Sequence, residues 1–582
     1  MAGNATFMTW NPNKYNSTSG IRYEEGNTFV ESTSGYPTIL SNMAPRTGKW
    51  YVEFYMNQNT GYNVLGVEQD GYCRYDNHLP DGGGGGAAYY QRHYLVYSHN
   101  GNKSTRTSTG TGNSTSYVSS WGTSGKIIGC ALDMDNGKIW WSFDGTFGAS
   151  GNPATGTNAA FDDLNTEFGY FMAFSDYNSG TDGECTINAG QDSSFAGAKS
   201  TGSANASDAN GYGDFYYTPP SGYLAICSAN LPTKTEIDPV ETSSDYPQKQ
   251  FDVALYSGTS ATQTIDIGFQ PDIVWWKNRG TANSHILADS SRGIDKVNTI
   301  NNANSETNAY QTYFTAFSAT GPTFSSNDIG TNQTGNNYAA LCWRCNGGTT
   351  ATNTSGTITS TVQVNQDNGL AIVQYTGNGS NGATIGHGLG KAPEWILVKN
   401  RDANDSWAVY HIFNGNTHYM LLDSNAGKVD NTYWNDTTPS STVFTVGTDH
   451  KVNASTEKYV AYCWTSIPGF SAIGGYYEAT DNEKGPFIHT GFRPKMVIIK
   501  MTVSGDNWGW VDSRRNTVNP RNTMFTFGSS SGAESTNSYY NVDFYATGFQ
   551  VSSNNAQVNH SSYDPYIYMA WADIPGKFMQ GG

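Results

Sequence analysis

The sequence predicts an all-β fold, with an N-terminal β-sandwich followed by three repeated small β-sandwich domains. Three observations carry this expectation. Stretches free of Gly, Pro, Asn, Ser and Thr rarely exceed ten residues, which leaves little room for amphipathic helices. Phe, Trp and Tyr make up 14% of the chain, enough for several cores, and they recur in short alternating runs. One strand-like pattern also occurs three times in the C-terminal two thirds.

The first elements lie in residues 1–198. Gly48–Phe54 alternates, with Trp50, Val52 and Phe54 on one face. Asn63–Val67 reads as the next strand. Residues 126–143, KIIGCALDMDNGKIWWSF, read as a hairpin whose Asn136-Gly137 pair signals a two-residue turn. Its first arm turns Ile128, Cys130, Leu132 and Met134 to one side, and its second arm turns Ile139, Trp141 and Phe143. Phe171–Phe174 and Cys185–Asn188 complete the set.

In this order these segments resemble a SPRY domain. The likeness rests on Gly48, Trp50, Glu53, Gly66, Gly129, Asp133, Asn136, Gly137, Trp140, Gly145, Asn188, Gly190 and Gln191. It implies a bent β-sandwich that presents loops to a protein or glycan partner, without catalysis. Residues 76–93 depart from the pattern with an insert containing five consecutive glycines, Gly82–Gly86, expected to be mobile. Aromatic and amide side chains suit recognition of sugars or proteins at small entropic cost. The candidate binding residues are therefore Tyr62, Asn63, Tyr72, Arg74, Tyr75, Tyr89, Tyr90 and Arg92.

Residues 199–250 read as a linker and an extended strap. The stretch 193–214 is rich in Gly, Ser, Ala and Asn, Pro219-Pro220 suggests a fixed extended joint, and 232–250 is polar.

Three repeats follow, at 251–348, 349–475 and 476–582. Each carries a proline, five mostly apolar residues and a lysine: Pro271 to Lys277, Pro393 to Lys399 and Pro494 to Lys500. Each closes on a Tyr-to-Trp run, Tyr338 to Trp343, Tyr459 to Trp464 and Tyr566 to Trp571. The lysine-to-tryptophan separations are 66, 65 and 71 residues, so one fold is used three times. The apolar runs should be buried on both faces. The lysines are expected to snorkel at the rim. Asp289 with Arg292, and Asp512 with Arg515, read as local ion pairs; His411 and Asn414 stand at these positions in the middle repeat.

The run from Pro219 through Gly390, with its PPSGYLAICSANLP, GFQPDIVWWKNR and LAIVQYTGNGSNGATIGHGLG segments, is similar to an arrangement found in structural proteins of marine tailed bacteriophages. That resemblance implies a virion component: a tail fibre, a tailspike-like subunit or a capsid-surface protein. Its implied partners are other virion proteins and a host cell-surface glycan or protein, in a homo-oligomer, with a trimer favoured. Capsid decoration, or a fixed tail part without receptor contact, is the alternative.

Composition narrows the function classes. A net charge of −17, with no basic run, disfavours nucleic acid. No segment approaches 18 apolar residues, and the N-terminus lacks a basic stretch and apolar core. A protein made in the host cytoplasm without a signal peptide, and carried outside on the virion, fits. Seven scattered cysteines suggest buried free thiols, and the lone Cys342–Cys345 pair lacks the partners of a zinc site. No serine-hydrolase, zinc-protease or phosphate-loop motif appears, so no catalytic residue, metal or cofactor is expected. A glycan depolymerase, which needs two converging carboxylates, is the remaining enzymatic alternative.

Overall fold

The structure, a computed structural model, describes residues 5–12, 20–32, 38–70, 93–106, 113–176, 182–200, 205–238, 246–307, 313–325, 327–477, 485–503, 505–553, 555–560 and 565–575. The glycine-rich insert, His93 excepted, lies outside the described residues. Strands dominate, and the helical segments are single turns.

The N-terminal part is a two-sheet sandwich. One sheet runs in the order Ile21–Glu24, Phe29–Ser32, Gly183–Asn188, Lys49–Gln58, Ile127–Asp133, Lys138–Phe143, Thr146–Phe147. The other runs Thr38–Leu40, Tyr170–Asp176, Asn63–Gln69, His93–Tyr97, Asn102–Arg106, Asn113–Ser116. Trp50, Val52, Phe54, Ile128, Cys130, Leu132 and Trp141 fill the space between them, on the faces that the alternation predicts. Gly66 is required by close approach, since a Cβ there would lie 2.7 Å from the Tyr94 carbonyl oxygen. The hairpin turn is longer than the Asn-Gly signal suggests. Asp133 pairs with Lys138, so residues 134–137 form the loop. The Asp133 carboxylate decides this by accepting from the N–H groups of Asp135 and Asn136, each at 3.1 Å.

The expected linker is part of this domain. Leu224–Ala225 adds to the Lys49–Gln58 strand in parallel. Phe215, Tyr223, Ala225 and Cys227 are buried over Tyr51, Ala131 and Trp140, covering the outer face of the sheet. Buried Glu53 fixes the cover: its carboxylate accepts from the N–H of Tyr216 at 2.9 Å, the N–H of Tyr217 at 2.7 Å and Asn188 Nδ2 at 3.1 Å. Composition misled here because a few apolar side chains in a Gly/Ser-rich stretch suffice to bind an exposed sheet. A boundary at 198 therefore cuts through the domain.

The three repeats share one topology. In each, a first strand, the closing tryptophan strand, the proline–lysine strand and a hairpin lie side by side. In the first repeat these are Phe251–Ser257, Asn337–Trp343, Ile273–Asn278 and Ile286–Asp289 with Val297–Thr299. In the second they are Leu370–Thr376, Lys458–Trp464, Trp395–Asn400 and Ala408–His411 with His418–Leu421. In the third they are Ser471–Tyr477, Pro565–Pro575, Phe492–Met501 and Trp508–Asp512 with Thr523–Phe527. The register is equivalent, with Ile273, Trp395 and Met496, two residues past each proline, opposite Trp343, Trp464 and Trp571. Because Ser471–Tyr477 belongs to the third sheet, a boundary at 475/476 would split its first strand.

Each main sheet has its own outer core, closed by a small second sheet. The inner faces of all three converge on one common core. There the ring centroids of Trp343, Trp464 and Trp571 lie 6.0, 5.3 and 6.3 Å apart, a near-equilateral triangle. The repeats thus close into a ring around a pseudo-threefold axis. Ile237, from the turn Thr235–Ile237, is buried in the same core. The apolar runs are buried on both faces because one side serves the unit and the other the ring.

The lysines do not snorkel. Lys277, Lys399 and Lys500 are fully buried, donating to the carbonyls of Asn278 and Thr281, Ala303 and Asp405, and Asn425 and Met501. Ala303 belongs to the first unit and Asn425 to the second, while Lys277 lies 5.6 Å from the Phe525 ring of the third. Each lysine therefore bridges to the preceding unit around the ring. Asp289–Arg292 and Asp512–Arg515 are buried ion pairs.

Candidate functional site

Of the candidate binding residues, Tyr62 and Asn63 are described; Tyr72, Arg74, Tyr75, Tyr89, Tyr90 and Arg92 lie outside the described residues. The structure separates the two that it places. Tyr62 is 45% exposed, with its ring stacked on His99 at 5.7 Å. Tyr97 meets the other side of this group, edge-on to His99 at 5.6 Å. Asn63 is fully buried, so it does not present its side chain to a partner. Its Oδ1 instead accepts from the Thr60 N–H at 2.9 Å and shapes the turn. The Gly61 N–H donates to Asn59 Oδ1 at 2.9 Å and the Tyr62 N–H to Thr60 Oγ1 at 3.2 Å. The aromatic platform is therefore held by a hydrogen-bonded loop, which lowers the cost of ordering it on contact.

A second feature was not legible in the sequence. A cleft of about 420 Å³ separates the sandwich from the second and third units, a size that suits a small ligand. Phe168, Ile412, Phe413 and Ile473 supply apolar walls, and Arg46 and Glu394 supply charge. Phe168 meets Phe413 edge-on at 6.2 Å, and Phe171 meets Phe487 at the same distance. Arg46 donates to Tyr568 Oη at 2.6 Å and lies 3.5 Å from Asp70 Oδ2. Burial alone would lower the Arg46 pKa; Tyr568, Asp70 and Glu394 outweigh it and raise it further. Asp70 also accepts from the His489 N–H at 3.3 Å. Burial raises the Glu394 pKa, against the opposing pull of Ser466, Arg46 and Lys391. The Ser466 N–H and hydroxyl both donate to Glu394. Arg46 and Glu394 are about 350 residues apart in sequence, and no motif marks either one.

Glu53 is also perturbed, its pKa pushed up to about 7 by burial. Its donors are the Tyr216 and Tyr217 N–H groups of the covering segment and the Asn188 amide and Tyr51 hydroxyl of the sheet beneath, so its work is structural. The cysteines described, Cys130, Cys185, Cys227, Cys342, Cys345 and Cys463, are buried free thiols. Among the described residues no cluster of His, Cys, Asp or Glu has the geometry to hold a metal ion.

Fold and site together define an all-β protein in which a two-sheet sandwich is mounted on a pseudo-threefold ring, with an exposed aromatic platform and an inter-domain cleft. A domain of unknown function, DUF7483, matches residues 244–575, more than half of the chain and nearly the whole ring. The chain belongs to the DUF7483 family. No curated protein matches it. Among solved structures, the SPRY domain of human HERC1 is similar at 20% identity, covering 31% of this chain and 96% of that one with a TM-score of 0.23. The PSpry domain of TRIM65 is similar at 12% identity, covering 31% and 91% with a TM-score of 0.22.

Proposed function

We propose that the protein is a non-catalytic binding component of a virion surface, of the tailed-phage kind that its sequence resembles. The ring is the mount, and the sandwich carries recognition of a host-surface glycan or protein. The observation that carries this reading is the Tyr62 platform: an exposed aromatic ring, backed by His99, on a hydrogen-bonded loop. Such a face stacks on a sugar ring or packs on an apolar side chain with little rotamer entropy to lose. Capsid decoration is the second reading. It is favoured by the internal threefold, which suits a mount on a threefold position of a particle.

The test combines antibody labelling of intact particles against residues 1–198 with binding of the purified chain to host cells. Label at tail tips, with saturable binding that Tyr62→Ala weakens at least tenfold at unchanged melting temperature, supports recognition. Label over the head with no cell binding removes receptor recognition in favour of decoration.

A further inference from the structure

The ring has three seams, and its internal repetition makes them directly comparable. At every seam the same backbone hydrogen bond recurs. The Glu306 N–H donates to the Arg401 carbonyl at 3.0 Å, the Glu534 N–H to Arg279 at 2.9 Å, and the Lys428 N–H to Thr502 at 2.7 Å. The carbonyl partners Arg401, Arg279 and Thr502 each stand two residues past the buried lysine, so the three positions are equivalent.

The side chains at these positions are not equivalent. Between the first and second units, Glu306 is held by Arg292 at 2.8 Å and by Arg401 at 2.8 Å. Arg292 also donates to Tyr462 of the second unit at 2.9 Å, and Tyr462 donates to Asp289 at 2.7 Å. Between the third and first units, Glu534 is held by Arg279 at 2.8 Å and by Arg515 at 3.4 Å, with Arg515 paired to Asp512. Between the second and third units every member is exchanged. Asn414 stands for the inner arginine, Thr502 for the outer one, Lys428 for the glutamate and His411 for the aspartate. Lys428 has no ion-pair partner among the described residues. Asn414 Oδ1 is buried without a hydrogen-bond partner among them. A chain of charge-assisted bonds closes two seams and is missing from the third.

That third seam is also where the sandwich sits. Phe168 and Phe171 reach Phe413 of the second unit and Phe487 of the third, and Arg46 donates to Tyr568 of the third. Phe413 itself crosses the seam: its ring fills the space over Gly475, where a Cβ would lie 2.3 Å from it. The cleft is lined from both sides of the same seam.

We infer that the seam between the second and third units is the ring's opening point, and that the N-terminal sandwich is the clamp that holds it shut. Two seams lock through their own Glu–Arg chains. The third lacks that chain: it keeps direct contacts such as Asn425 Nδ2 to the Gly505 carbonyl at 3.0 Å and Trp508 Nε1 to the Leu421 carbonyl at 3.1 Å, and the sandwich lies across it, so a contact that shifts the sandwich is transmitted to the ring at this one place. This inference rests on the internal comparison of seams and not on the proposed function, since it holds whatever the sandwich recognises.

Hydrogen exchange on the full chain, read by mass spectrometry, tests it. Residues 424–428 are expected to exchange at least tenfold faster than 301–306 and 529–534. Phe168→Ala with Arg46→Ala should accelerate 424–428 further and leave the other two segments unchanged. Thr502→Arg with Lys428→Glu, which rebuilds the missing Glu–Arg pair, should slow 424–428 toward the other seams. Equal exchange at the three seams in the unaltered protein, or equal acceleration of all three in the sandwich variant, would overturn the inference.

Discussion

Trp464→Ala tests the ring as a single cooperative body. Trp464 is 3% exposed and stacks on Trp395 at 4.5 Å; it also meets Tyr462, Trp343 and Trp571 at 6.1, 6.0 and 6.3 Å. A buried tryptophan removes about 200 Å² from water, worth about 5 kcal/mol at ~25 cal/mol per Å². Truncation to alanine keeps part of that but leaves a cavity, for an expected loss of about 3–5 kcal/mol. The four ring contacts place the loss at the upper end. Two of those contacts belong to the neighbouring units, so the damage should be shared. Urea unfolding followed by tryptophan fluorescence gives the free energy. Exchange at residues 337–343, 458–464 and 565–575 gives its distribution, which should accelerate in all three closing strands. Phe444→Ala, in the second unit's own outer core, is the control: a loss of similar order (~3–5 kcal/mol), with acceleration confined to that unit. A loss under about 1 kcal/mol for Trp464→Ala, or acceleration in the second unit alone, would refute the common core.

Other expectations follow from the same geometry. Burial holds Lys277, Lys399 and Lys500 down to about 8, below the ordinary 10.5. The unfolded chain therefore binds more protons between those values, and each lysine contributes a stability that rises as pH climbs from about 8 to 10. Buried thiols and tyrosines with raised pKa pull the other way, so the comparison is between the protein and Lys399→Met, whose unfolding free energy should rise less over that window; equal slopes would place Lys399 in water. Glu53→Ala strands two backbone N–H groups over the sandwich, at a cost of about 2–5 kcal/mol. Limited proteolysis should then cut within 205–231, and resistance equal to the unaltered protein would show that Glu53 does not fix this segment. A fragment of residues 199–582 keeps Phe215, Tyr223, Ala225 and Cys227 but loses the sheet that they cover. It should leave the monomer position in size-exclusion chromatography, and a monomeric fragment with a cooperative melt would contradict the domain boundary argued above.

Much of this molecule follows from the chain alone. Alternation assigned the sandwich strands and their inner faces, because a strand with one face in a core must repeat every two residues. Similar spacing from Lys277, Lys399 and Lys500 to their tryptophans revealed one fold used three times, because register is a property of local chain length. Tertiary structure decided what local pattern does not encode. An apolar run buried on both faces reads the same whether its second face meets the unit's own sheet or a common core, so the ring and its tryptophan triangle were invisible. The lysines looked like rim residues because a local pattern does not show the carbonyls that loops bring to them, among them Thr281 for Lys277 and, from another unit, Ala303 for Lys399 and Asn425 for Lys500. The segment 205–231 looked like a linker because its few apolar residues matter only against the sheet that they cover. The Arg46–Glu394 cleft joins residues of the N-terminal sandwich and the second unit, and only the packing of the sandwich across one seam of the ring brings them together.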